Sequence, residues 1–225
     1  MYNVGIIGCG RIPSGFENDP LREHPCTHAG AYSVTPQTKM TCASDINRYK
    51  LEEFSKRWGV HRSYIDYKEM LSREKLDLVS VCTPPDTHSR IVIDAAKSGV
   101  KAIFCEKPMA TSVQEGRKMV KVCEKYDAHL TVNHTRRWDM NYLQVREMLL
   151  KKELGAIEKI NGCYTSGLFV IGTHMIDLFT YFCGDVIKAM GVKENTKGID
   201  SLWYSENYSP ADPPVSGILW FKNGI

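Results

Sequence analysis

Short apolar runs alternate with helix-patterned segments through the first half of this chain, and that alternation restricts the fold more than any single motif. Val4–Ile7, Lys39–Ser44, Leu78–Cys82, Ala102–Phe104 and Leu130–Val132 each read as a buried strand. Helical faces lie between them. Leu51, Phe54 and Trp58 fall at i, i+3, i+7 with Gly59 as a stop, and Ile91 and Ala95 precede Gly99. Ser112–Glu115 is a capping box that starts a further helix with Met119, Val120 and Cys123 inward. Strand, helix, strand repeated in this way predicts an α/β fold with a doubly wound parallel sheet over residues 1–132.

In such sheets ligands bind outside the carboxyl ends of the strands, so the residues that follow each strand are the candidate site. The first strand runs into Gly8-Cys9-Gly10-Arg11-Ile12. Gly8 permits a tight turn there, and Gly10 lets backbone amides approach a pyrophosphate. The third glycine of a GxGxxG pattern is absent: Pro13 holds its place and Gly15 follows two residues late, so a simple turn explains the match about as well. Phe16–Thr27 reads as an insertion, with the helix resuming near Ala29. Asp45 ends the second strand, where a carboxylate can accept hydrogen bonds from an adenosine ribose and repel a 2′-phosphate; a plain helix cap is the competing reading.

The third strand ends in Thr83-Pro84-Pro85 with His88 close behind, and the fourth in Cys105-Glu106-Lys107-Pro108-Met109. Glu106 and Lys107 are expected to emerge into the crevice, with Pro108 fixing the angle of Lys107 and a cis Lys107–Pro108 bond; taken alone, the stretch reads rather as a strand ending in a charged turn.

Together, Gly-Cys-Gly-Arg-Ile, Cys-Thr-Pro-Pro with His88, the Ala-Lys-Ser-Gly-Val helix end, Glu106-Lys107-Pro108 and Gly172-Thr173-His174-Met175-Ile176-Asp177 resemble the glucose-fructose oxidoreductase, inositol dehydrogenase and MocA family. The resemblance implies a Rossmann domain over 1–132 and an α+β open-sheet domain over 133–225. It further implies NAD(P)-dependent oxidoreduction of a sugar, cyclitol or nucleotide-sugar hydroxyl. His174, otherwise read as a satisfied core histidine, becomes the proton-transfer residue, and Lys107 the group that stabilises charge on the reacting oxygen, with Glu106 helping to position it. Gly8, Gly10, Arg11, Ile12, Asp45, Thr83, Pro84, His88, Glu106 and Lys107 become the cofactor-binding set, with NAD favoured over NADP. Arg136, Arg137 and Trp138 are substrate candidates, against a solvated basic loop as the alternative, and Asp177, one turn after His174, is a further one, against a solvent-facing or capping role. One departure stands out: many members carry Asp four residues before this histidine, where this chain has Val170. A non-catalytic or truncated cofactor-binding member is therefore the alternative function.

The second half is expected to hold a helix through Tyr142, Val145, Met148 and Leu149 ending at Gly155. A strand over Ile157–Thr165, an apolar helix over Gly172–Phe182 and a last strand over Ile218–Phe221 should follow. That last strand begins a sheet left half built at Ile225, which implies truncation or completion by another subunit, hence a homo-oligomer through the C-terminal sheet. A net charge of +3 with no basic stripe gives no case for nucleic acid or a membrane surface. Gly167–Gly184 includes His174 and Asp177 and reads as a buried helix, not a membrane span. Eight scattered cysteines without a CxxC pair suggest a reducing cytoplasm, and no metal site is expected. No basic leader precedes the first strand, so no signal peptide is expected.

Overall fold

The computed structural model describes residues 1–153, 155–164, 167–193, 212 and 215–225. The chain divides into two compact units, Met1–Asn133 and His134–Ile225.

The first unit runs β1 (Tyr2–Ile7), α1 (His28–Val34), β2 (Thr38–Ser44), α2 (Arg48–Trp58), β3 (Arg62–Tyr64), α3 (Tyr67–Arg73), β4 (Leu78–Val81), α4 (Pro85–Lys97), β5 (Ala102–Glu106), α5 (Val113–Lys125) and β6 (His129–Asn133). Its six strands lie in the order β3-β2-β1-β4-β5-β6, every neighbouring pair parallel. Strand order reverses at β1, which pairs with β2 on one side and β4 on the other. That reversal opens a crevice at the carboxyl ends of β1 and β4, the place where this architecture takes ligands.

Side-chain alternation builds a core on each face. Val4 and Ile6 join Leu51, Phe54 and Val60 in one cluster, while Ile7 joins Val79, Val81, Ile103, Cys105 and Met119 in the other. Helix starts are capped by side chains where the sequence offers them: Asn47 accepts from Lys50 N–H at 3.2 Å, Asp66 from Lys68 N–H at 2.9 Å and Ser112 from Glu115 N–H at 3.2 Å. Gly59 stops α2 in the left-handed conformation, at φ 65°. One residue of the expected α5 face turns the other way. Met119 and Cys123 are buried four residues apart, but Val120 is exposed, because a step of about 100° from Met119 carries it off that stripe.

The second unit contains a 3₁₀ turn (Thr135–Trp138), α6 (Met140–Leu150), a π-helical turn (Leu168–Gly172) that continues into α7 (Thr173–Cys183), and the antiparallel pair β7 (Val186–Lys193) and β8 (Val215–Phe221). Helix α6 ends before Gly155. Lys152 takes the left-handed conformation at φ 58°, and Glu153 N–H closes back on Met148 O at 3.0 Å, which uses the last carbonyls earlier. The strand expected over Ile157–Thr165 is not formed: residues 157–164 are irregular, and Thr165 lies outside the described residues. An alternating pattern becomes a strand only beside a partner ladder, and this segment is anchored by side chains. Tyr164 donates its hydroxyl to Val215 O at 2.7 Å, and Gly162 lies so close to Met175 and Phe179 of α7 that a Cβ would meet them at 2.5 and 2.6 Å.

Candidate active site

The glycine turn after β1 is shaped by contacts that exclude side chains at one position and leave room at the next. Gly8 has φ 91°, and a Cβ there would stand 2.7 Å from Cys82 O. Only glycine fits. At Gly10 a Cβ would have no neighbour within 4 Å, so the turn presents open space where a pyrophosphate would lie. Asp45 fastens this turn to the next helix: Oδ2 accepts from Cys9 N–H and Oδ1 from Asn47 N–H, both at 2.7 Å. The cap of α2 is Asn47, so the carboxylate at position 45 is not that cap.

The excursion from Pro13 returns to its starting point. Gly15 N–H donates to Gly10 O at 3.2 Å and Phe16 N–H to Arg11 O at 2.9 Å, forming a local turn that leads into a 3₁₀ segment, Gly15–Asn18. Ala29 N–H then donates to Pro13 O at 3.0 Å, so α1 begins beside the residue where the chain departed. The inserted segment also packs on α2, with Trp58 Nε1–H donating to Ser14 Oγ at 2.8 Å. Arg11 lies over the Phe16 ring at 4.7 Å, and Ile12 is exposed at the turn's surface.

At the end of β4, Thr87 donates to Thr83 Oγ1 at 2.6 Å, and Pro84 stands at the N-cap of α4. His88 corrects an expectation. It is fully buried, with Nε2 2.7 Å from Thr83 O and Nδ1 2.9 Å from Pro108 O. It ties the loop after β4 to the turn after β5 and has no surface left for a cofactor. The Lys107–Pro108 bond in that turn is cis, as expected from the sequence.

Glu106 corrects another. It does not emerge into the crevice; it is the last residue of β5 and is buried. Its Oε1 takes His28 Nε2 at 3.0 Å and Asn133 Nδ2 at 2.7 Å, and its Oε2 accepts from Lys107 N–H at 3.2 Å. His28 reaches on through Nδ1 to Ser80 Oγ at 3.0 Å, which Tyr32 OH meets at 2.7 Å. Burial alone would push the Glu106 carboxyl up. The His28 bond and charge, the Asn133 bond and the Lys107 amide together bring it below the ordinary carboxylate value. Glu106 therefore acts on Lys107 by fixing its backbone.

In the second unit, His174 sits buried in the first turn of α7, with the His134 ring edge-on at 5.7 Å. The π-helical turn before it is closed by a distant carboxylate: Asp212 Oδ1 accepts from Phe169 N–H at 2.8 Å and Oδ2 from Val170 N–H at 2.9 Å. Position 170 is apolar, but the turn that leads to His174 does carry a carboxylate. Two substrate candidates hold each other: Arg137 Nε donates to Asp177 Oδ2 at 2.7 Å, and the guanidinium lies over Tyr181 at 4.9 Å. Arg136 is half-buried beside them and Trp138 is exposed. His28, Ser80, Asn133, His134 and Asp212 were not singled out by the sequence. Only His28 gave a local signal, a polar ring opening a helix whose next three residues, Ala29, Gly30 and Ala31, are small.

A parallel sheet ordered 3-2-1-4-5-6, with a glycine turn at its switch point, defines a dinucleotide-binding protein of the Rossmann class. The family profile described as "Oxidoreductase family, NAD-binding Rossmann fold" (GFO_IDH_MocA) matches residues 2–134. The chain belongs to this family. It is 29% identical over 152 residues to myo-inositol 2-dehydrogenase of Thermotoga maritima, covering 68% of this chain and 42% of that protein. It is 25% identical over 252 residues to oxidoreductase P35 of Formosa agariphila, covering 99% and 70%. Among solved structures, the WlbA dehydrogenase of Bordetella pertussis in complex with NADH and UDP-GlcNAcA shares the fold at TM-score 0.77 and 20% identity, over 99% of this chain and 68% of that one. The chain thus spans well under two thirds of the inositol dehydrogenase it matches.

A buried carboxylate with a lowered pKa stabilises the fold above the unfolded carboxylate's pKa, and that contribution is lost as pH falls through the lower folded value. Glu106→Gln is expected to lose that component. Urea midpoints measured between about pH 6 and about pH 3 should fall less steeply for the variant than for the wild type; parallel profiles would show that the Glu106 pKa is not lowered by folding.

Proposed function

We propose that this chain carries an NAD-dependent dehydrogenase activity that moves a hydride between nicotinamide C4 and a carbinol carbon of a sugar, cyclitol or nucleotide sugar. The observation that carries the reading is the glycine turn at the switch point, closed at Gly8 and open above Gly10. Backbone amides of Gly10, Arg11 and Ile12 hold the pyrophosphate, those of Gly8 and Cys9 being taken by Ser44 O and Asp45 Oδ2, and Thr83 and Pro84 line the cofactor's path. Asp45 favours NAD, since each oxygen can accept a further hydrogen bond from a ribose hydroxyl while its charge repels a 2′-phosphate. The nicotinamide, when bound, accepts or returns the hydride. The protein's own side chains handle the proton: His174 takes it from the hydroxyl as general base, and Lys107 donates a hydrogen bond that stabilises charge developing on that oxygen. Arg136 and Trp138 contact the substrate's polar and flat surfaces, with the Arg137–Asp177 pair holding the 3₁₀ turn of Arg136 and Trp138 against α7.

The substrate class is supported by the similarity to myo-inositol 2-dehydrogenase and by a fold shared with a dehydrogenase bound to UDP-GlcNAcA. Eight free cysteines, most of them buried, support a reducing compartment such as the cytoplasm. No helix among the described residues is long and apolar enough to cross a membrane. Homo-oligomerisation through the C-terminal sheet is supported by Met190, Val192 and Ile218. The first and last are cross-strand partners, Val192 shares their face, and all three are exposed.

Against a panel of inositols and sugars, Lys107→Ala and His174→Ala are each expected to lower turnover by about 10²–10⁴-fold, with KM lower for NAD than for NADP. Unchanged rates would remove both side chains from the chemistry. Sedimentation at the mass of a single chain would contradict the oligomer.

A further inference from the structure

The segment between the glycine turn and α1 gathers three side chains of different ligand chemistry around one point. Glu17, His24 and Cys26 each offer one donor atom, and these atoms lie within 4.8 Å of one another. Glu17 Oε2 is 2.8 Å from His24 Nδ1, and Cys26 Sγ is 3.7 Å from that same nitrogen.

This convergence rules out a relay. In a nucleophile–base–carboxylate arrangement the thiol and the carboxylate address opposite nitrogens of the imidazole. Here both face Nδ1, which can make only one hydrogen bond in its ring plane, as donor or as acceptor. The carboxylate takes it, and the thiol turns to Phe16 O at 3.2 Å. A cation at the centre satisfies all three atoms together. Tetrahedral zinc, with bonds of roughly 2.0–2.3 Å, sets its ligand atoms roughly 3.3–3.6 Å apart. The Sγ to Nδ1 separation is already near that, and the shorter Oε2 to Nδ1 contact opens by a small turn of His24, whose side chain is 42% exposed. Glu17 is pre-oriented for the task. Its Oε1 accepts from Cys26 N–H and Thr27 N–H, both at 2.9 Å, and from Thr27 Oγ1–H at 2.8 Å, which leaves Oε2 aimed at the imidazole. Nearby Arg22 is paired with Asp19 at 3.1 Å.

We propose that Glu17, His24 and Cys26 form a binding site for a borderline divalent cation of the zinc type, with three protein ligands and a fourth position open to water. A mixed S, N and O donor set suits zinc or cobalt over magnesium or calcium. The ion would join the 3₁₀ turn Gly15–Asn18 to the start of α1, closing the excursion that leaves and re-enters the fold at Pro13 and Ala29. The site is structural for that segment and stands independently of the dehydrogenase reading.

The test titrates the chelator-stripped full chain with Co²⁺. One equivalent should produce sulfur-to-cobalt charge-transfer absorption, and Zn²⁺ should abolish it at equal stoichiometry. Cys26→Ser should lose the charge-transfer band, and His24→Ala, at a half-exposed position, should bind at least tenfold more weakly. Cys163→Ser, at the exposed cysteine elsewhere in the chain, should match the wild type. No band in the wild type, or an unchanged band and affinity in His24→Ala, would overturn the site.

Discussion

A charged carboxylate cannot be left in a protein interior without partners, and the need to satisfy Glu106 organises the carboxyl end of the sheet. Its hydrogen bonds reach His28 on α1, Asn133 at the end of β6 and the backbone of Lys107, and His28 passes the connection to Ser80 on β4. Four elements are held at one level by one side chain. Removing a partner from such a buried ionic group costs about 3–5 kcal/mol, because the remaining charge stays desolvated. Geometry follows from that penalty: the turn that presents Lys107 is fixed beneath by Glu106 and beside by His88, which grips Pro108 O.

The same logic explains why the excursion after the glycine turn is tolerated. A dinucleotide site needs a tight turn, donors near the pyrophosphate and a helix packed behind. Here the turn is kept by Gly8, the packing by the return of Ala29 to Pro13, and the link to β2 by Asp45. The inserted residues leave the site's geometry intact because both of their ends are tied to the same place. They also deliver His28 to Glu106, so the insertion leads directly into the network that positions Lys107.

Much of this was readable in the sequence, for a physical reason. Strands buried on both faces must be apolar runs, and helices packed on them must be periodic, so five of the sheet's six strands and the residues at their ends were visible; β3, short and with Arg62 and Ser63 exposed, and the α3 that follows it were not. What escaped notice depended on contacts between distant residues. His28 and Glu106 are 78 positions apart, and Asp212 reaches Val170 across 42; neither pair leaves a local pattern. His88 was placed correctly in the chain but assigned to the ligand, and Glu106 to the ligand as well as to positioning Lys107, because a sequence cannot show whether a polar side chain at a strand end turns outward or beneath; the positioning part is what Glu106 does. Ile157–Tyr164 alternated as a strand should, yet alternation does not supply a partner. Position 170 carries no carboxylate, and Asp212 instead holds the backbone amides of that turn, a contact that no local pattern shows.

The central claim is that the turn above Gly10 receives a dinucleotide, and the most direct measurement is a fluorescence titration with NADH of the wild type and Gly10→Leu. A Cβ at Gly10 would meet nothing within 4 Å, so a leucine side chain there starts into the open space that the ligand would take. The account predicts saturable binding to the wild type, and its loss in Gly10→Leu with the thermal midpoint unchanged. Absence of saturable binding in the wild type, or equal binding by the variant, would contradict it.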